Sequence, residues 1–190
     1  MEMNNNETKP LKTIKDLKEA IKGETTAWLK YAAYAKKAKE EGLNTIAKLF
    51  EAASKAEEIH AVNHTKALQS LGEKMENFKV DFEVKTTAEN LQDAIDGETY
   101  EATIMYPQFV GDAKEEKVEK AERSFTWAWD TEKKHQQFYS DALKALQKNN
   151  IDSLPSGYAV CPVCGNTFDQ ANVDEKCAFC KTSKEKYLIF

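Results

Sequence analysis

Two short segments, Glu57-Glu58-Ile59-His60 and Glu132-Lys133-Lys134-His135, each set a carboxylate three residues before an imidazole. Residues three apart share one face of a helix, so each pair can address one metal cluster. A lone pair of this kind is ordinarily a surface feature. Here each pair follows a copy of one motif, LKEAIKGET at 17–25 and LQDAIDGET at 91–99, which carry Glu24 and Glu98. The copies are offset by 74 at this motif and by 75 at the Glu-x-x-His segments. One glutamate from each of two helices, with Glu-x-x-His from two others, is the donor set of a carboxylate-bridged dinuclear site in a helical bundle. Glutamate can bridge two cations, and a neutral imidazole can complete the coordination of one.

The other metal-type residues are Cys161, Cys164, Cys177 and Cys180, spaced C-x2-C-x12-C-x2-C in the last thirty residues. Paired C-x-x-C in a chain without other cysteines points to a tetrahedral thiolate site rather than a disulfide framework. Zinc would make this a structural ribbon and a single iron a one-electron carrier, and spacing alone fits both. Tyr158, Phe168, Tyr187 and Phe190 are candidates for its apolar wall. Gly165, after the first knuckle, can take a positive φ, which Lys181 after the second accommodates less readily.

The elements that must position these groups are helical. Apolar residues at helical spacing, with few breakers, predict four helices over 13–40, 43–70, 87–112 and 114–148. Thr13 and Thr87 are the expected N-caps. Gly42 and Gly111 mark the expected joins inside each helical pair, and Pro107 should kink the third helix or interrupt its hydrogen bonding. The link GEKMENFKVDFEVKT is long enough to cross the length of a bundle, so the expected topology is two antiparallel hairpins with one long crossover. The polar stretch NNIDSLPSG then separates a bundle over 1–150 from a small cysteine domain over 156–190.

Each predicted helix has a seam that is apolar at its ends and charged in its middle: Leu17, Ile21, Glu24, Trp28, Tyr31; Phe50, Ala53, Glu57, His60, His64; Leu91, Ala94, Glu98, Glu101, Met105; and Phe125, Ala128, Glu132, His135, Tyr139. Burying unpaired carboxylates costs several kcal/mol each, a total that approaches the ~5–15 kcal/mol stability of a whole domain. Two divalent cations would offset it. Glu101 has Ala27 as its repeat counterpart, so periodicity alone leaves it either a functional break in symmetry or an exposed residue. His64 has Tyr139 at its matched position and reads as a packed or outer-layer histidine. Tyr31 and Tyr106 are placed to hydrogen-bond the carboxylates of Glu24 and Glu98 as outer groups.

Acidic residues number 32 against 27 Lys and Arg, a formal charge of −5 with the signs interspersed. Without a basic stripe no nucleic-acid partner is expected. No apolar run approaches the ~20 residues of a membrane span, and MEMNNNETKP does not read as a signal segment, so the expected location is cytoplasmic.

Taken together, AIKGET, EEIHAVNH, AIDGETYEATIMYPQF, EKKHQQFY and YAVCPVCGNTF…CAFC resemble the rubrerythrin family over nearly the whole chain. The resemblance implies an all-α ferritin-like four-helix bundle with one long crossover, carrying a di-iron site, followed by a small irregular/β rubredoxin-like Fe(Cys)4 domain. It favours iron over zinc at the cysteines. It implies that Glu57 and Glu132 bridge the irons, that Glu24 is a terminal ligand of one, and that Glu98 and His135 complete the other. Glu101 would exchange with His60 as the iron changes redox state, and with Tyr31 and Tyr106 these form the expected catalytic set. The implied activity is reduction of hydrogen peroxide to water, with electrons from a donor protein, either a rubredoxin or an NAD(P)H-dependent reductase. The implied assembly is a homodimer in which one subunit's cysteine site lies near its partner's di-iron site. The alternatives are a ferroxidase or oxygen-reducing protein, or a helical adaptor with a structural zinc ribbon.

Overall fold

A computed structural model describes residues 9–190; residues 1–8, which hold most of the polar start of the chain, lie outside the described residues. Two long helices, α1 (Leu11–Glu40) and α2 (Asn44–Ser70), form the first hairpin. An extended crossover leads to α3 (Thr87–Tyr100), a wide π-type turn (Glu101–Met105) and α4 (Tyr106–Glu115), and α5 (Glu119–Gln147) completes the second hairpin. The expected bundle and crossover are therefore present. Among the described residues no helix is long and apolar enough to cross a membrane.

The repeat extends to the helix ends, and there the expectations need correction. Thr13 is not the N-cap of α1, which begins at Leu11 after Pro10. The free N–H groups of Lys12 and Thr13 instead donate to the Glu116 carboxylate, at 3.1 and 2.7 Å. In the matched place, Thr87 N–H donates to Glu41 at 3.1 Å. Each half thus caps the first turn of the other, which satisfies donors that a helix cannot satisfy itself. The side-chain cap of α3 is Thr86, one residue before the expected Thr87, in a reciprocal capping box with Glu89. Gly111 lies inside α4, and the second join is made by Lys117 at φ 57°, the repeat counterpart of Gly42 at φ 78°.

Pro107 does interrupt the third helix. Tyr106 N–H donates to the Glu101 carbonyl, five residues back instead of four, so the wide turn accommodates one extra residue. That insertion explains the repeat arithmetic. Glu24 and Glu98 precede it and are offset by 74, whereas Tyr31 and Tyr106 and everything later are offset by 75. The insertion follows Glu101, the first residue of the turn, whose counterpart in the first half is Ala27.

Apolar clusters close both ends of the bundle. Tyr31, Tyr34, Phe50, Leu91 and Tyr139 fill one, and Leu17, Leu68, Tyr106, Phe109 and Phe125 the other. The charged middle of every seam lies between them. Beyond α5, β1 (Tyr158–Val160) pairs antiparallel with both β2 (Thr167–Asp169) and β3 (Leu188–Ile189), in the order β2-β1-β3. Phe168 stacks on Tyr187 at 5.1 Å beside the cysteines, as expected of a wall. Tyr158 and Phe190 turn the other way and pack against the bundle, Tyr158 edge-on to Phe138 at 5.4 Å. These two aromatics join the strand region to the bundle.

Candidate metal centres

Glu24 on α1, Glu57 and His60 on α2, Glu98 on α3, and Glu132 and His135 on α5 converge at the bundle centre, each at most 1% exposed. Their donor atoms form two groups, Glu24/Glu57/His60/Glu132 and Glu57/Glu98/Glu132/His135, each with all atoms within 4.8 Å of one another. Glu57 and Glu132 belong to both. The pseudo-twofold relation reaches the atomic level. His60 Nδ1 lies 2.8 Å from Glu57 Oε2 and 3.1 Å from Glu132 Oε1, while His135 Nδ1 lies 3.0 Å from Glu57 Oε1 and 3.2 Å from Glu132 Oε2.

Tyr31 OH donates to Glu98 Oε1 at 2.8 Å, and Tyr106 OH donates to Glu24 Oε1. Each repeat-matched tyrosine thus holds the terminal carboxylate of the opposite half. His64 joins neither group of donors. Its Nε2 lies 3.0 Å from Tyr106 OH and its Nδ1 2.7 Å from Ser124 Oγ, while burial, and then His60, lower its pKa well below the usual value. A neutral His64 therefore backs Tyr106 from the outer layer, as its unmatched position suggested.

The electrostatics fit cations. Burial raises the pKa of Glu24 and Glu132 well above the usual carboxylate value, with Glu57 adding to each, and raises that of Glu98 with His135 opposing it. Burial acts the same way on Glu57, but His135 and His60 outweigh it and bring that group to about 2. Glu24 Oε2, Glu98 Oε2, both Glu132 oxygens and His135 Nδ1 are buried without a hydrogen-bond partner. Buried polar atoms ordinarily have partners, and these are carboxylate oxygens and an imidazole nitrogen aimed at shared points. That is the donor chemistry of a dinuclear carboxylate site.

Glu101 is not brought into either group. It stands half-buried at the floor of an opening of about 320 Å³ lined by Gly23, Gly97, Tyr31, Tyr100 and Met105. Burial, and then Glu98 and Glu57, push its pKa well above the usual value. The two glycines are those of the repeated Gly-Glu-Thr segments. Glycine inside a helix costs roughly 1 kcal/mol relative to alanine, and both glycines line the opening beside the site.

Cys161, Cys164, Cys177 and Cys180 form the third group, also within 4.8 Å. Hydrogen bonds from Cys161 and Cys164 hold the Cys177 thiol low, while contacts with Cys161 and Cys177 push the Cys164 thiol up, so the four sulfurs share protons that a metal would displace. The two knuckles match: Gly165 N–H donates to the Cys161 carbonyl at 3.0 Å and Lys181 N–H to that of Cys177 at 2.9 Å. Lys181 adopts φ 65° beside the 81° of Gly165, so the lysine has not altered the knuckle.

Sequence reasoning missed how the cysteine region meets the bundle. A Cβ on Gly165 would fall 2.4 Å from His60 Nε2. Thr167 Oγ1 lies 2.8 Å from His135 Nε2 and 3.2 Å from the Gly165 carbonyl. Donating to that carbonyl, the hydroxyl accepts from Nε2–H, which makes Nδ1 the nitrogen that would face a bound metal. Lys134 Nζ donates to Asn166 Oδ1 at 2.6 Å, and Asn166 Nδ2 reaches Cys177 Sγ at 3.5 Å. The fragment Gly165-Asn166-Thr167 therefore touches both histidines. The contact lies within one chain. GNT carries no motif that would have revealed it.

A ferritin-like bundle holding a carboxylate–histidine dinuclear site, with a four-cysteine site docked on it, defines the class. The rubrerythrin family model matches residues 15–143. Rubrerythrin-2 of Clostridium acetobutylicum is 33% identical over 92% of this chain and 94% of its own length. Nigerythrin of Nitratidesulfovibrio vulgaris is 34% identical over 94% of this chain and 86% of its own. A solved mixed-valence structure of nigerythrin superposes with a TM-score of 0.83, at 34% identity and with the same coverage of both chains. The chain belongs to the rubrerythrin family. The residues of a di-iron carboxylate–histidine site and a four-cysteine cluster are both present, as in nigerythrin.

Proposed function

We propose that this protein is a peroxidase that reduces hydrogen peroxide to water, its dinuclear site recharged by a single iron at Cys161, Cys164, Cys177 and Cys180. Two bound ferrous ions supply the two electrons that, with two protons, convert H2O2 to two waters. The chain's residues do the rest. With iron bound, Glu57 and Glu132, which belong to both groups, would be shared, Glu24 with His60 and Glu98 with His135 would complete one group each, and Tyr106 and Tyr31 hold the Glu24 and Glu98 carboxylates. Glu101, which lines the opening, would exchange with His60 when iron is bound and would hold a proton on its carboxyl group where the substrate enters. The apolar clusters on either side exclude bulk water.

The observation that carries this reading is the seating of Gly165 and Thr167 on the two ligand histidines. A structural zinc ribbon or a storage protein has no use for a cysteine knuckle seated against both imidazoles, whereas an electron donor does. We further assign the bundle to residues 1–150 and the cysteine domain to 156–190. A cytoplasmic homodimer reduced by a rubredoxin or an NAD(P)H-dependent reductase fits the acidic surface and the resemblance. Stopped-flow mixing of the reduced protein with peroxide and with oxygen tests the activity. Peroxide should reoxidise the site faster, and faster reoxidation by oxygen would replace this reading with oxygen reduction.

A further inference from the structure

The wide turn at Glu101–Met105 leaves a hydrogen-bond debt. Tyr106 N–H has shifted to the Glu101 carbonyl, so it no longer serves Ala102 at the usual four-residue spacing. In the shifted register the next donor for Ala102 would be the N–H of residue 107. That residue is proline and has none. The Ala102 carbonyl is thus stripped of its helical donor by the insertion and of the substitute by Pro107. Trp129 on α5 fills the gap, its indole Nε1–H donating to Ala102 O at 2.6 Å. The first half shows the matching contact at a regular helix. Ser54, the repeat counterpart of Trp129, donates to the carbonyl of Trp28, the counterpart of Ala102, at 2.9 Å. A hydroxyl suffices where α1 is regular, and a longer donor stands where the helix is distorted.

We propose that Trp129 is a positioning residue: its indole locks the wide turn and so sets where Glu101 stands relative to the opening and the dinuclear site. The proposal rests on the reading that Glu101 works in that site. A relaxed turn would return the helix toward α spacing and rotate Glu101, the turn's first residue, away from its place. The ring is itself anchored, with Lys133 Nζ 3.9 Å above its centre on the outer face.

Two readouts test this in the full-length protein. In the metal-free protein, Trp129→Phe keeps an aromatic ring but removes the donor, and hydrogen exchange at the Tyr106 amide should quicken roughly tenfold, the size expected for one carbonyl left without its donor. Adding Pro107→Ala supplies a main-chain N–H for Ala102, so Trp129→Phe/Pro107→Ala should regain most of the protection. Unchanged exchange in Trp129→Phe, or no recovery in the double variant, overturns the lock. In the iron-loaded protein, Trp129→Phe should lower peroxide turnover roughly tenfold in the native background and not at all in a Glu101→Ala background. An equal fall in both backgrounds would mean that Trp129 acts by general destabilisation, and would overturn its positioning role. Native turnover in Glu101→Ala would instead sink the role given to Glu101, and with it this positioning claim, while the exchange result still decides whether Trp129 holds the turn.

Discussion

Replacing Gly165 with alanine separates the two reasons a glycine can be required. A Cβ there would lie 2.4 Å from His60 Nε2, 2.7 Å from Cδ2 and 3.2 Å from the Ala56 carbonyl, against 3.4 Å for ordinary contact. With its Nδ1 held between Glu57 and Glu132, the His60 ring gives way less readily than the knuckle. The knuckle must therefore retreat by about 1 Å, at an overpacking cost of about 1–3 kcal/mol. The positive φ adds a conformational cost of about 1 kcal/mol, one already borne by Lys181 at φ 65° in the matching knuckle. Gly165→Ala should therefore loosen the cysteine domain's hold on the bundle by roughly ten- to a hundredfold. The visible spectrum of the iron-loaded cysteine site should survive, since every cysteine and its knuckle hydrogen bond remain. Limited proteolysis across 149–157 reads the release, and Lys181→Ala, which keeps a Cβ at positive φ away from the bundle, is the control. If Gly165→Ala is cut no faster than Lys181→Ala, the contact with His60 does not hold the domain in place.

The metal-free protein should lose stability as pH rises. Glu24, Glu98 and Glu132 have pKa values raised from 4.5 by burial, and His60 and His135 are raised from 6.5, by their carboxylate neighbours against the effect of burial. Such groups contribute fully below their unfolded pKa values, and the contribution is lost as pH climbs through the folded ones. Glu57, lowered to about 2, has the opposite sign, but its contribution is lost only on acidification. Thermal melts between about pH 5 and 8 should fall for metal-free protein and rise for metal-loaded protein, because the metal competes with protons; a flat or rising metal-free profile would refute the electrostatics. At the opening, Gly97→Ala adds a Cβ with nothing within 4 Å and should stabilise by up to ~1 kcal/mol with turnover kept. Gly97→Phe should instead lower kcat/KM for peroxide, and bulkier hydroperoxides should lose more; equal losses would place the entry elsewhere. Glu116→Ala and Glu41→Ala each remove a cap supplied by the opposite half and should cost about 1 kcal/mol apiece, additively, in denaturant titrations.

The six carboxylate and histidine residues that converge at the centre were legible because the chain states the pattern twice, and two weak Glu-x-x-His signals reinforce one another. The change of offset from 74 to 75 was also visible as arithmetic. Its cause was not, because a wide turn is a property of backbone hydrogen bonds and leaves only Pro107 as a trace. Glu101 was ambiguous for the same reason, since its place in the seam depends on a register that periodicity takes to be regular. The join at Lys117 was hidden because a lysine occupies the left-handed conformation normally marked by glycine, which drew attention to Gly111 instead. The caps at Thr13 and Thr87 were sought locally, whereas Glu116 and Glu41 reach across from the other half. Gly165 was read for its backbone freedom. Its contact with His60 is a long-range fact that no local pattern encodes.

The central claim is that the cysteine site feeds the dinuclear site across the Gly165–Thr167 contact. It is tested most directly by following the visible absorption of the iron–cysteine centre after fully reduced protein meets one equivalent of peroxide. The account predicts that colour returns in step with peroxide consumption in the native protein, and only slowly when Glu57→Ala and Glu132→Ala together dismantle the bridging pair. Colour returning at the native rate without those carboxylates would mean that peroxide oxidises the cysteine centre directly, and would contradict the relay.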